Sequence, residues 1–149
     1  VLKNDSEQGG ALAVSEKSFV MGIQRSILRA HEDAFVWKTN DRFSLGMPDL
    51  LVVIEGRLYA LEAKAIRWPM NIKKVLKHPF SGPQMSVIKQ LSAAGAFAAG
   101  IVGVSKDSAR LVLPDMFNRN GNFTKEEFDE LPLVTKKRRL WRIIEWPHL

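Results

Sequence analysis

Asp49, Glu62 and Lys64 are charged exceptions within the most apolar stretch of the chain, Met47-Pro-Asp-Leu-Leu-Val-Val-Ile-Glu-Gly-Arg-Leu-Tyr-Ala-Leu-Glu-Ala-Lys64. Two carboxylates and a lysine are the residue types of metal-assisted phosphodiester chemistry. The acids hold a hard cation such as Mg²⁺ together with waters and a substrate phosphate. The lysine orients or helps deprotonate a water, or stabilises charge developing on the phosphate. The plainer alternative is an Asp at a strand end and an exposed Glu-x-Lys pair. Alternation argues against it, because Leu58 and Ala60 share the face of Glu62 and Lys64 and the charges continue an apolar row.

The elements that must position these residues can be read locally. Glu55-Gly56 between apolar runs is a hairpin signal, which predicts strands over Pro48 to Ile54 and Arg57 to Ala65. A two-residue turn pairs Ile54 with Arg57, Val52 with Tyr59 and Leu50 with Leu61. Asp49 then falls opposite Glu62, with Cβ atoms roughly 5 Å apart. Period-two alternation brings Lys64 out on the same face. Two facing carboxylates repel, and one lysine does not compensate both.

Phe19, Val20, Ile23, Ile27 and Leu28 recur at helical spacing, so Ser15 to His31 is predicted as a helix capped by Ser15. Glu16 lies on that stripe, and is either a third carboxylate for the metal site or an acid serving the helix end. Ala34 to Lys38 reads as a short strand and Thr39 to Arg42 as a turn. Residues 67–80 read as a basic loop with one helical turn around Ile72 to Lys77; Trp68 within it plugs the core edge more readily than it stacks on a base. Ser81-Gly82-Pro83 opens a second helix that Gly95 ends. Gln84 at its inward start either contacts a phosphate or metal-bound water, or caps the helix. Phe97 to Val104 and Ala109 to Leu113 read as strands, Thr124 to Glu127 as a capping box before a brief helix, and Arg138 to Trp146 as a last strand.

At 149 residues and 46% hydrophobic content the chain suits one domain with a real core. It has no cysteine, which excludes a disulfide scaffold and a thiolate zinc site, and His31, His78 and His148 are scattered. No apolar run reaches the roughly 18 residues of a membrane span. A cytoplasmic, intracellular protein without a membrane partner is expected. The net charge is +6, and no Asp or Glu occurs between Ala63 and Lys106, where Lys64, Arg67, Lys73, Lys74, Lys77, Lys89 and Lys106 stand. Lys136, Lys137, Arg138 and Arg139 form a second cluster. Basic segments flanking a carboxylate pair fit a polyanion held over a metal; the bland reading is a solvated face.

The order helix, three strands, helix, strand, with Gly46-Met-Pro-Asp-Leu50, Leu61-Glu-Ala-Lys64 and Ser81-Gly-Pro-Gln84, resembles the PD-(D/E)xK nuclease superfamily. Within it the nearest patterns are the stand-alone viral replication-repair (VRR-NUC) nucleases and the archaeal-type Holliday junction resolvases. The resemblance implies an α/β, restriction-endonuclease-like αβββαβ core with a mixed central sheet flanked by helices. The resemblance covers Ser15 to about Val104, and the expected organisation is a flexible leader over 1–14, a nuclease core over 15–113 and a C-terminal extension packed on the core over 114–149. By the resemblance, Asp49 and Glu62 bind the metal with the backbone carbonyl of Ala63, Lys64 is the catalytic lysine, and Glu16 and Gln84 assist them. Lys38 lies near the scissile phosphate, and Arg67, Lys73, Lys74, Lys77, Lys136, Lys137, Arg138 and Arg139 are candidate DNA contacts. The implied activity is Mg²⁺-dependent hydrolysis of DNA, with Mn²⁺ as substitute. The expected substrate is branched or double-stranded DNA cut by a homodimer, and phage or mobile-element origin is implied. Competing readings are a restriction-like or repair nuclease on duplex or flap DNA, and a nucleic-acid-binding module without turnover.

Overall fold

A computed structural model describes residues 15–39, 45–66, 76–77, 80–105, 108–118, 122–123 and 125–132. The expectations for the leader, the 138–146 strand, Trp68, and the basic residues Arg67, Lys73, Lys74, Lys136, Lys137, Arg138 and Arg139 lie outside these residues. So does Thr124, the expected cap.

Helix α1, Glu16–Ala30, begins where the Ser15 side chain accepts a hydrogen bond from the Ser18 N–H, and buries Val20, Ile23 and Ile27. Strand β1, Phe35–Lys38, pairs antiparallel with β2, Leu50–Ile54, which pairs antiparallel with β3, Arg57–Ala65. The register is the one the turn dictates: Ile54 faces Arg57, Val52 faces Tyr59 and Leu50 faces Leu61. Glu55 and Gly56 both take positive φ, 49° and 76°, the signature of a primed turn whose twist matches its strands. The chain then forms β4, Leu76–Lys77, and helix α2, Gly82–Ala93, which carries it across to β5, Phe97–Ser105, parallel to β3. Strand β6, Ser108–Val112, returns antiparallel to β5. A 3₁₀ turn over Pro114–Asn118, β7 (Asn122–Phe123) and helix α3 (Lys125–Glu130) follow.

The mixed sheet runs β1-β2-β3-β5-β6. Its two faces bury separate clusters. One holds α1 through Val20, Ile23 and Ile27 against Leu50, Val52, Leu61 and Ile101. The other holds α2 through Ile88, with Phe80, Phe128 and Leu131, against Ala60, Ala98 and Val102. Arg110 on β6 donates to the carbonyls of Asp129 and Leu131, and Leu111 N–H donates to Pro132, so the end of α3 is tied to the sheet edge.

Two expectations are corrected. Strand β2 starts at Leu50 rather than Pro48, because the Asp49 N–H is taken by a side chain and leaves the ladder. Leu76 and Lys77 are not helical: they pair with Phe123 and Asn122, partners remote in sequence that local periodicity cannot show.

Candidate metal-dependent active site

The candidate site lies where β2 begins, on the sheet face that carries α2. Leu50 and Leu61 face α1, so alternation turns Asp49 and Glu62 to the opposite side. The ladder does not continue to them. Instead the two carboxylates satisfy each other's strands: Asp49 Oδ2 accepts from the Ala63 N–H at 2.8 Å, and Glu62 Oε2 accepts from the Asp49 N–H at 3.1 Å. Thr39 N–H donates to the Asp49 carbonyl at 2.9 Å, and the Thr39 hydroxyl donates to the Pro48 carbonyl, holding the loop end against β1. Each acid is fixed by backbone, which is what a positioned ligand needs.

Helix α2 completes the arrangement. Gln84 Oε1 accepts from the Ser81 N–H at 2.9 Å while Ser81 Oγ accepts from the Gln84 N–H, a capping box. The same amide's Nε2 donates to Glu62 Oε1 at 2.7 Å. The two alternatives open for Gln84 in sequence are thus met by one side chain, whose oxygen serves the helix and whose nitrogen serves the site. Lys64 Nζ stands 3.6 Å from the same Glu62 oxygen.

Glu62 is only 3% exposed. Its neighbour across β5 is Gly100, and a Cβ there would overlap the Phe80 ring, so the glycine lets a buried phenylalanine lie over the strand beside the carboxylate. Burial pushes the Glu62 carboxyl up to about 8; the Asp49 charge adds to the rise, and Lys64 with the Asp49 N–H only partly offsets it. With both acids ionised the trio carries an excess negative charge in a place water reaches poorly. A divalent cation relieves that excess.

Among the described residues no group of three His, Cys, Asp or Glu side chains converges. Two carboxylates with open positions suit Mg²⁺, which keeps several waters and takes substrate oxygens, and do not suit a closed zinc site. The donor set therefore fits the hard cation expected from sequence.

The structure brings Asp49, Glu62, Lys64, Ala63 and Gln84 together and leaves two candidates apart. Glu16 is exposed in the first turn of α1, with no hydrogen bond or ion pair to the other acids among the described contacts. Phe19 one turn later packs over Gly103, so the helix start shares the β3 and β5 ends with Lys64 but sits on the other face. Lys38 is half-buried and pairs with Leu50, which places it on the α1 face as well. The backbone of Lys77 lies in β4.

Sequence reasoning missed how tightly Gly46 is held. It takes φ +85°, and a Cβ there would overlap the Pro83 carbonyl at the start of α2. The only signal in the sequence is the glycine itself, two residues before Pro48. Gly46→Ala is expected to cost about 1–3 kcal/mol, and to push the 45–49 loop away from Gln84. Denaturant unfolding and cleavage rates check it: both should fall, whereas Gly22→Ala, in the middle of α1 with open space at its Cβ, should raise stability by about 0.5–1 kcal/mol and leave cleavage unchanged.

No family model matches the chain, and no curated protein does. Among solved structures it is similar to Archaeoglobus fulgidus Hjc, a Holliday junction resolvase from an archaeal hyperthermophile, with a TM-score of 0.51 at 14% identity, over 76% of this chain and 95% of that one. That likeness shows the fold: a mixed five-stranded sheet flanked by helices, the restriction-endonuclease-like architecture expected from the motif order. No helix among the described residues is long and apolar enough to cross a membrane.

Proposed function

We propose that the chain is a Mg²⁺-dependent endonuclease that hydrolyses DNA phosphodiester bonds, with branched DNA of the Holliday junction class as its preferred substrate. The observation that carries the reading is the backbone-fixed Asp49 and Glu62 pair with Lys64 at 3.6 Å, set in a fold that a junction resolvase also has. A module that only bound nucleic acid would gain nothing from a repulsive pair of acids, one of them buried.

Asp49 and Glu62 would hold the cation, with the Ala63 carbonyl as a further ligand. When bound, the cation supplies Lewis-acid polarisation of the phosphate and activation of a water. Gln84 keeps Glu62 Oε1 in one orientation. Lys64, anchored near that oxygen, presents its ammonium to the phosphate oxygens and stabilises the charge that develops on them. Burial of Glu62, with the Phe80 ring over the neighbouring Gly100, keeps the surroundings poor in water, which strengthens these interactions.

Arg67, Lys73, Lys74, Lys77, Lys136, Lys137, Arg138 and Arg139 would bind the phosphate backbone, which gives affinity without sequence preference. A symmetric pair of chains would present two sites to two strands. The nuclease core over 15–113 and its extension to 149 act as one unit in this reading.

Labelled four-way junction, flap, linear duplex and single strand, incubated with Mg²⁺ or with EDTA, test it. Mg²⁺-dependent cutting of the junction at least tenfold faster than linear duplex is expected. Faster cutting of flap or duplex would move the chain to repair or restriction-like chemistry. Binding without cutting of any substrate would make it a binding module.

A further inference from the structure

We infer that Phe35 and Trp37 form a platform on which bases that are unpaired, or opened at a branch point, stack beside the scissile phosphate, so that the substrate class is nucleic acid able to present at least one open base next to the cut. The inference rests on the nuclease reading and adds to it a recognition surface.

β1 is the outer strand of the sheet as described, and its alternate residues divide cleanly. Val36 packs against the α1 core, while Phe35 is 62% and Trp37 58% exposed. Folding therefore accounts for one side of the strand and leaves two large aromatic side chains open on the other. Phe35 pairs with Val53, itself 38% exposed, and Trp37 pairs with Leu51. Asp49, Leu51 and Val53 alternate on one face, so the two rings share the face of the carboxylate pair. Trp37 is the diagonal neighbour of Asp49, at a separation of about 7–8 Å for such positions. A strand whose phosphate sits at Asp49 and Glu62 passes these rings within its next nucleotides.

The area decides between occupants. Aromatic side chains present roughly 150–250 Å² each, so two rings with a little more than half open, beside the partly exposed Val53, fall well short of the roughly 800 Å² per partner of a stable dimer. They match the faces of one or two bases. Residues two apart on a strand are separated by about 6.6 Å, which leaves room for a base on each ring. Stacking on aromatic side chains tolerates any base and changes affinity by roughly 5- to 150-fold per base. Paired bases inside a continuous duplex hide their faces, whereas bases at a branch point lose a stacking neighbour and open more readily, so the platform selects against linear duplex.

Fluorescence anisotropy in EDTA, with the full chain, a single-stranded oligonucleotide and a hairpin duplex of equal length, tests this. Trp37→Ala and Phe35→Ala should each lower single-strand affinity about tenfold while duplex affinity changes less than threefold, and Trp37→Phe should restore most of the loss. Equal losses on both substrates, or none on either, would overturn the inference. So would a chain that sediments as a dimer and becomes a monomer in Trp37→Ala with single-strand affinity unchanged, since a second copy would then cover the patch. Cleavage with Mg²⁺, measured beside it, keeps the two ideas separate: binding that depends on Trp37 without any cutting would sink the nuclease and leave the platform.

Discussion

Asp49→Asn is expected to lower Mg²⁺-dependent cleavage by about a thousandfold while leaving the fold intact. The amide keeps an oxygen for the Ala63 N–H, which Asp49 Oδ2 now takes at 2.8 Å, so the β2 end stays anchored. What it loses is one of two charges that would hold the cation, and removing one electrostatic stabiliser from a positioned site costs about 10²- to 10³-fold. The loss exceeds that when cation affinity falls too. Single-turnover rates with enzyme in excess check it, alongside an unchanged circular dichroism spectrum. Cleavage within tenfold of the wild type would place the chemistry elsewhere on the chain.

The second large effect is a pH dependence of stability in the metal-free protein. Glu62 titrates near 4.5 when unfolded and near 8 when folded. Between those values the native chain holds a proton that the unfolded chain has released. The contribution of Glu62 to stability is therefore full below about 4.5, falls as pH rises through the window, and is lost above about 8. The span is on the order of 5 kcal/mol, or roughly 10–20 °C in Tm for a chain of this size. Mg²⁺ should reverse the trend, because the cation binds the ionised pair and stabilises the native state most where the proton has left. Glu62→Gln carries no ionisable group there, so its Tm should be flat across the window and insensitive to Mg²⁺. Thermal scans at several pH values, with EDTA and with Mg²⁺, measure all of this; a wild-type slope retained in Glu62→Gln would assign the titration to another group.

The hairpin was legible because its register depends on two adjacent turn residues, Glu55 and Gly56, and on strict alternation. The same alternation puts Asp49, Glu62 and Lys64 on one face. Gln84 was legible as a position but not as a choice, since only the fold shows that one amide can serve Ser81 and Glu62 together. Glu16 falls on the apolar stripe of α1, yet that stripe packs on the sheet face away from the carboxylates, a fact of layering that periodicity along one helix does not contain. The two-residue ladder of Leu76–Lys77 with Asn122–Phe123 depends on partners far apart in sequence. Gly46 and Gly100 were visible as glycines, but what approaches them, Pro83 and Phe80, comes from α2 and the residues leading into it. Phe35 and Trp37 read as ordinary strand residues, because exposure at a sheet edge is decided by the strand order.

The claim on which the rest stands is that Asp49 and Glu62 hold a divalent cation. Calorimetric titration of the full chain with Mn²⁺, in two buffers of different ionisation heat, tests it most directly. Binding that releases close to one proton below pH 8, tightens as pH rises, and vanishes in Asp49→Asn and Glu62→Gln is the predicted result. Equal binding by the wild type and both variants, or no binding by the wild type at any pH, would contradict it.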